Sequence, residues 1–207
     1  MKITVIADDA LKEELLTKGL DDSVYVQWLN EPLAVNGINC CIDLLFINSE
    51  QRIEALKESS AGIIIINAVS SCLGGLPENF VRINGWPTFL KRKLVEASGR
   101  NDEMKHTCEK IFSAFGKKTE WTPDIPGFIS ARVVSQIINE AYFALEEKVS
   151  SKQEIDTAMK LGTNYPYGPF EWSQKIGLKN VYELLLALSK ENSMYEPSSL
   201  LKSDVTG

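Results

Sequence analysis

The stretch KITVIADDALKEELL, residues 2–15, reads as a short buried strand running straight into a helix. That is the usual opening of a dinucleotide-binding domain, whose strand-to-helix turn ordinarily carries glycines so that the backbone can approach a pyrophosphate. Here the turn holds Asp8 and Asp9 and no glycine. Either aspartate suits the N-cap of a helix with no ligand, with Glu13 and Glu14 following near the positive end of its dipole.

The alternation continues outward from this stretch. Strands are predicted at 2–7 (KITVIA), 24–29 (VYVQWL), 43–48 (DLLFIN) and 62–68 (GIIIINA), with weaker ones at 80–84 (FVRIN), 94–97 (LVEA) and 118–122 (KTEWT). Helices are predicted at 9–18, 50–59 and 101–115. Near-continuous apolar strands with helices between them indicate a mostly parallel sheet covered on both faces. The link NEPLAVNGINCCI (30–42) is short for a full crossover, so any helix in it is vestigial.

After PDIPG (123–127) the character changes. Residues 128–148 place Ile129, Val133, Ile137, Ala141 and Leu145 four apart, and Phe128, Val134, Ile138 and Tyr142 widen the apolar face of a long helix. Ser151 and Glu154 form a capping box for a second helix, with Gly162 as its stop. The loop TNYPYGPF then leads to a helix at about 179–190. The expected organisation is a shortened Rossmann-like α/β domain, 1–124, followed by an all-helical domain, 125–207.

Acidic residues outnumber basic ones, 28 to 22, for a net charge of −6. No basic face is expected, which argues against a nucleic-acid partner. GIIIINAV (62–69) is strand-sized and no run suits a membrane span. The N-terminus has no leader pattern, so a cytoplasmic protein is expected. Cys40, Cys41, Cys72 and Cys108 have neither CxxC nor Cys/His spacing. They are read as reduced packing thiols, and no metal site is expected.

The second half carries a resemblance. PGFI, NEA (139–141), EIDTAMKLG (154–162) and YPYGPFEW (165–172), with IGLKNVYELLLAL and YEPSSLLK after them, resemble the C-terminal domain of 3-hydroxyacyl-CoA dehydrogenases. The resemblance implies a 6-phosphogluconate-dehydrogenase-like helical domain, NAD as cofactor, an acyl-CoA ligand, dimerisation through the helical domain, and a setting in fatty-acid or butyrate metabolism. In the first half, FVRINGWPTFLKRKLVE (80–96) is similar to the family segment that carries the catalytic His. Counting back from KLVE puts Asn84 at that His and Glu96 at the carboxylate that orients it. NAVSSCL (67–73) resembles the turn that contacts the substrate hydroxyl, which makes Ser70 or Ser71 the candidate. Ala131 stands at the family asparagine of PGFI-x-N-R, with Arg132 retained.

These substitutions bear on the chemistry. Oxidising a 3-hydroxyl needs a base, and a carboxamide takes no proton at any relevant pH. Losing a general base costs roughly 10²–10⁴ in rate. On the family's glycine turn, VIADDALK places Ala7, Asp9 and Lys12 at the three glycines. A carboxylate about 5 Å from a phosphate at an effective dielectric near 20 repels it by roughly 3 kcal/mol. A micromolar site is worth only about 8 kcal/mol in all. Glu50 lies near the family Glu beside the nicotinamide, and a helix starting after Asn48 or Ser49 explains it equally well. His106 is read as a solvated helix residue, LKRK (90–93) as a solvated basic turn or a CoA-phosphate contact, and NYPYGPFEW as a loop joining helices, with an interface as a further option. The expectation is a family member that has lost its parental catalysis, a pseudoenzyme kept as a dimeric binding or scaffold module. The alternative is an active dehydrogenase or reductase with a rearranged site.

Overall fold

In the computed structural model, which describes residues 1–32 and 38–207, Ile3, Val5 and Ile6 of strand β1 (Lys2–Ile6) are almost wholly buried. Around it are β2 (Tyr25–Leu29), β3 (Cys40–Asp43), β4 (Ile63–Asn67), β5 (Phe80–Ile83), β6 (Leu94–Ser98) and β7 (Lys118–Trp121), in the sheet order β2-β1-β3-β4-β5-β6-β7. Every neighbouring pair is parallel except β5–β6, where Arg82 faces Ser98 and Ile83 faces Ala97. Alternation along the strands divides the core between two faces. Ile3, Val5, Ile42, Ile65 and Val81 pack with Leu11 and Leu15 of α1 (Asp9–Leu16) and with Ile111 and Phe112 of α3 (Asp102–Ala114). Ile6, Cys41, Ile64, Ile66 and Phe80 pack with Leu56 of α2 (Glu50–Lys57) and with Leu73 and Leu76.

The third strand lies earlier than DLLFIN (43–48), at residues 40–43. Asp43 ends it, because its carboxylate accepts the Leu45 N–H at 3.0 Å and turns the chain. Ile47, expected inside the strand, is 71% exposed. The expectation of a vestigial helix in the 30–42 link falls largely on residues 33–37, outside the described residues.

The chain divides into two compact units, Met1–Phe128 and Ile129–Gly207. The segment 123–127 belongs to the first unit, where Asp124 accepts the Leu73 N–H and the Arg82 Nε–H. The second unit contains α4 (Ser130–Glu146), α5 (Lys152–Thr163), α6 (Pro169–Ile176), α7 (Leu178–Ser189) and α8 (Ser199–Thr206).

On α4 the buried set is Ala131, Val134, Ser135, Ile138, Asn139, Ala141 and Tyr142, while Ile129 and Val133 are 56% and 53% exposed. The apolar face is therefore rotated from the four-apart series that starts at Ile129. Asn139 rotates it inward: its amide donates to Glu196 O and accepts from Ser198 N–H, both at 2.9 Å, tying the C-terminal segment to the helix. α5 runs past Gly162 and ends at Asn164, whose φ of 56° supplies the left-handed cap.

The motif GPFEW is also helical rather than a loop. Pro169 begins α6 in the first-turn position that proline tolerates. The nearly buried Asp156 carboxylate of α5 caps it by accepting from Phe170 N–H at 2.8 Å and Glu171 N–H at 3.1 Å. Gly168 is required for this contact, since a Cβ there would lie 2.3 Å from Asp156 Oδ1.

Gly168→Ala is expected to displace Asp156 and cost about 3 kcal/mol, the value of two backbone bonds to a buried carboxylate, read by chemical denaturation; unchanged stability would mean that the cap is not made. The Ser151–Glu154 capping box gives a second expectation. Hydrogen bonds from the Ser151 hydroxyl, the Ser151 amide and the Ser150 hydroxyl hold the Glu154 carboxyl down at about 2. A carboxyl lowered on folding stabilises fully above its ordinary value near 4.5 and loses that contribution as pH falls toward 2. Amide exchange at the start of α5 should therefore quicken over that interval, and Glu154→Gln should flatten the dependence.

Candidate functional site

Asn84 follows β5 immediately and is 2% exposed; its Nδ2 donates to Glu96 Oε2 of β6 at 2.8 Å, and its backbone N–H donates to Glu96 O at 2.9 Å. The antiparallel β5–β6 pairing brings these two positions face to face, so the sequence-predicted pair is assembled. The surroundings fix it. Gly85 N–H donates to Asn67 Oδ1 at 3.0 Å, and Asn67 Nδ2 donates to Leu44 O at 3.1 Å, a chain of bonds across the ends of β3, β4 and β5. Gly85 admits Asn67 because an added Cβ would lie 2.9 Å from Asn67 Cγ. Glu14 of α1 accepts Thr88 N–H with both oxygens, at 2.8 and 2.9 Å, and holds the loop that follows.

Ser70 and Ser71 lie in the turn after β4, and a residue absent from the sequence reading holds that turn in place. Arg82 is fully buried. Its Nη1 donates to Ala68 O at 3.1 Å and Ser71 O at 3.2 Å, its Nη2 to Ile125 O at 2.5 Å, and its Nε to Asp124 Oδ1 at 2.6 Å. The Phe128 ring lies 4.2 Å from the guanidinium carbon. The available signal was a lone arginine in the strand FVRIN, since a buried guanidinium requires partners. Asn67 and Glu14 carried no signal at all, because their contacts join residues far apart in sequence. Ala131 lies in the second unit, fully buried within α4.

The β1–α1 turn is closed upon itself. Ala7 N–H donates to Leu29 O at 3.0 Å, and Asp8 is the N-cap, accepting Leu11 N–H at 2.8 Å. Asp9, the first residue of α1, is exposed, and the Lys12 ammonium sits 5.0 Å from the centre of the Trp28 ring. Glu50 is the exposed first residue of α2, behind the Ser49 cap. Arg52 is taken up by Asp43, through bonds of 2.8 and 2.9 Å, and by Glu31 at 2.8 Å. Burial pushes the Asp43 carboxyl up, and the Arg52 pairing opposes that rise. The residues implied for NAD thus present two carboxylates and a committed helix cap. They do not fit a pyrophosphate, which needs free amides and close backbone approach.

The remaining titratable candidates are ordinary. His106 is a surface residue of α3 with its Nδ1 3.8 Å from Glu109. Burial raises the Cys40 and Cys108 thiols and takes Cys41 to about 12, which leaves all three protonated at neutral pH. Among the described residues no helix is long and apolar enough to cross a membrane.

Residues 127–206 match the model of the family described as 3-hydroxyacyl-CoA dehydrogenase, C-terminal domain. The chain is 31% identical over 153 residues to 3-hydroxybutyryl-CoA dehydrogenase of Bradyrhizobium diazoefficiens, covering 72% of this chain and 52% of that one. It is 45% identical over 89 residues to 3-hydroxyadipyl-CoA dehydrogenase of Escherichia coli, covering 42% of this chain and 19% of that one. It spans about half the length, or less, of such curated relatives. In fold it is similar to the crystal structure of (S)-3-hydroxybutyryl-CoA dehydrogenase from Ralstonia eutropha, with a TM-score of 0.75 at 20% identity over 99% of this chain and 93% of that one. By the match of its helical unit to the family model and its similarity to these relatives, the chain belongs to the 3-hydroxyacyl-CoA dehydrogenase family.

Proposed function

We propose that this chain is a binding or scaffold member of the family that has lost NAD-dependent oxidation of 3-hydroxyacyl-CoA. It acts in the cytoplasm as a homodimer, within fatty-acid or butyrate metabolism. The observation that carries this reading is Asn84, whose carboxamide donates at 2.8 Å to the carboxylate of Glu96. A histidine there would accept the substrate's hydroxyl proton, and the Glu96 carboxylate would orient it and stabilise the imidazolium that forms. Asn84 can hold an oxygen in place by hydrogen bonding but cannot take that proton. The closed β1–α1 turn removes the hydride acceptor as well. What persists is suited to holding an acyl-CoA: the serine turn clamped by Arg82, and the helical unit.

The competing reading is an active dehydrogenase or reductase in which Glu96 itself is the base. It is favoured by the position of that buried carboxylate, one hydrogen bond from where a substrate oxygen would be held.

Titration with NADH, read by energy transfer from the four tryptophans with and without acetoacetyl-CoA, separates the two. No saturation up to millimolar NADH is expected, nor any turnover, and Asn84→His alone should restore neither. Micromolar saturation would overturn the reading of Asp8 and Asp9, and turnover would restore the dehydrogenase.

Dimerisation through the helical unit is supported by the exposed Ile129 and Val133, neighbours on one face of α4. Light scattering on the eluted protein should give a dimer that Val133→Asp converts to a monomer. A wild-type monomer would refute it.

A further inference from the structure

A cleft of about 360 Å³ opens on the first unit where β6 and β7 end. Its size falls among small-molecule pockets of about 300–1,000 Å³. Ser98, Arg100, Lys105, Trp121, Pro123 and Asp124 are among the residues that line it, and neither Asn84 nor Glu96 does.

One wall carries a carboxylate and a guanidinium gripping the same residue. Leu73 N–H donates to Asp124 Oδ2 at 2.9 Å, and Arg100 Nη2 donates to Leu73 O. Asp124 Oδ1 accepts Arg82 Nε–H at 2.6 Å, and 37% of the Asp124 side chain stays exposed, so Oδ2 keeps capacity for a further donor. The Arg100 charge is met by Glu78 at 3.4 Å, whose side chain is mostly exposed. The other wall carries the Lys105 ammonium, 5.9 Å from the centre of the Trp121 ring. Its ion pair is with Asp102 at 3.4 Å, a side chain wholly in solvent, while Glu109 accepts Trp121 Nε1–H at 2.8 Å. Ser98, from the end of β6, supplies a third group. It is 2% exposed and lines the cleft, and among the described residues its hydroxyl makes no hydrogen bond. A buried hydroxyl without a partner is costly, and one at the wall of a cavity points to a polar ligand.

We propose that this cleft binds an α-amino acid with an apolar or aromatic side chain. The carboxylate meets Lys105, Arg100 and the Ser98 hydroxyl, the ammonium meets Asp124 Oδ2, and the side chain lies against Trp121 and Pro123. The two signs of charge decide the class. A simple anion would face Asp124 and a simple cation would face Arg100 and Lys105, whereas a zwitterion is complementary to both. The assignment is independent of whether the chain retains dehydrogenase chemistry.

The test is calorimetric titration of the full chain with L-phenylalanine, 3-phenylpropionate and 2-phenylethylamine, repeated on Ser98→Ala and Lys105→Gln. Wild type should bind L-phenylalanine saturably, and each analogue, lacking one charged group, about tenfold or more weaker. Lys105→Gln should weaken L-phenylalanine and should not weaken 2-phenylethylamine, which has no carboxylate. Ser98→Ala should weaken L-phenylalanine while its melting temperature equals or exceeds that of wild type, because an unpaired buried hydroxyl is removed. A lowered melting temperature would make the serine structural and overturn its role as a ligand contact. No saturation by L-phenylalanine at millimolar concentration overturns the proposal, as does either analogue binding equally well. L-phenylalanine that binds all three proteins equally is bound elsewhere, and that result overturns the cleft.

Discussion

The guanidinium of Arg82 is removed completely from water, and the surrounding backbone is arranged to meet that demand. An unpaired buried charge costs far more than the net stability of a domain, and breaking an established buried pair typically costs about 3–5 kcal/mol. Arg82 therefore requires Asp124, and the carbonyls of Ala68, Ser71 and Ile125, to stay within reach. One side chain in the middle of β5 thereby fixes both the serine turn and the segment that precedes α4. Asp124 adds a second tie by accepting Leu73 N–H. The serine turn is held in one arrangement because a charge beneath it cannot be left unpaired.

The same economy of polar groups explains the closed β1–α1 turn. A helix N-terminus presents unsatisfied amides, which a dinucleotide-binding protein leaves for a phosphate. Here Asp8 takes one of them, and the Leu29 carbonyl takes the turn's own Ala7 amide. Once these groups are satisfied internally, a phosphate would have to displace hydrogen bonds and also approach two carboxylates. Asn84 follows the same pattern, its carboxamide satisfied by the hydrogen bond it donates to Glu96.

In the helical unit, two motifs that look independent in sequence form one device. Asp156 of EIDTAMKLG caps the helix that begins in YPYGPFEW, and Gly168 leaves the space for its carboxylate. Asn139 of NEA does comparable work on the segment near Glu196 and Ser198. The family signature of this half is thus largely a set of buried polar anchors.

The sequence by itself determined the order of strands and helices in the first half and the capping box at Ser151 and Glu154, while its resemblance to a family motif set Asn84 against Glu96. Each depends on local periodicity, short-range capping or a motif of fixed spacing. It placed the third strand too late, because DLLFIN is the more apolar run, whereas the Asp43 carboxylate ends the strand through contacts with Leu45 and the distant Arg52. It read GPFEW as a loop because the cap for that helix comes from Asp156, on another element. It assigned Ile129 and Val133 to the buried face of α4, since hydrophobicity alone cannot say which side of a helix a buried asparagine will claim. Only the tertiary structure decided the role of Arg82 and the holding of Thr88 by Glu14. Those contacts span tens of residues and satisfy charges and backbone groups, which carry no periodicity along the chain.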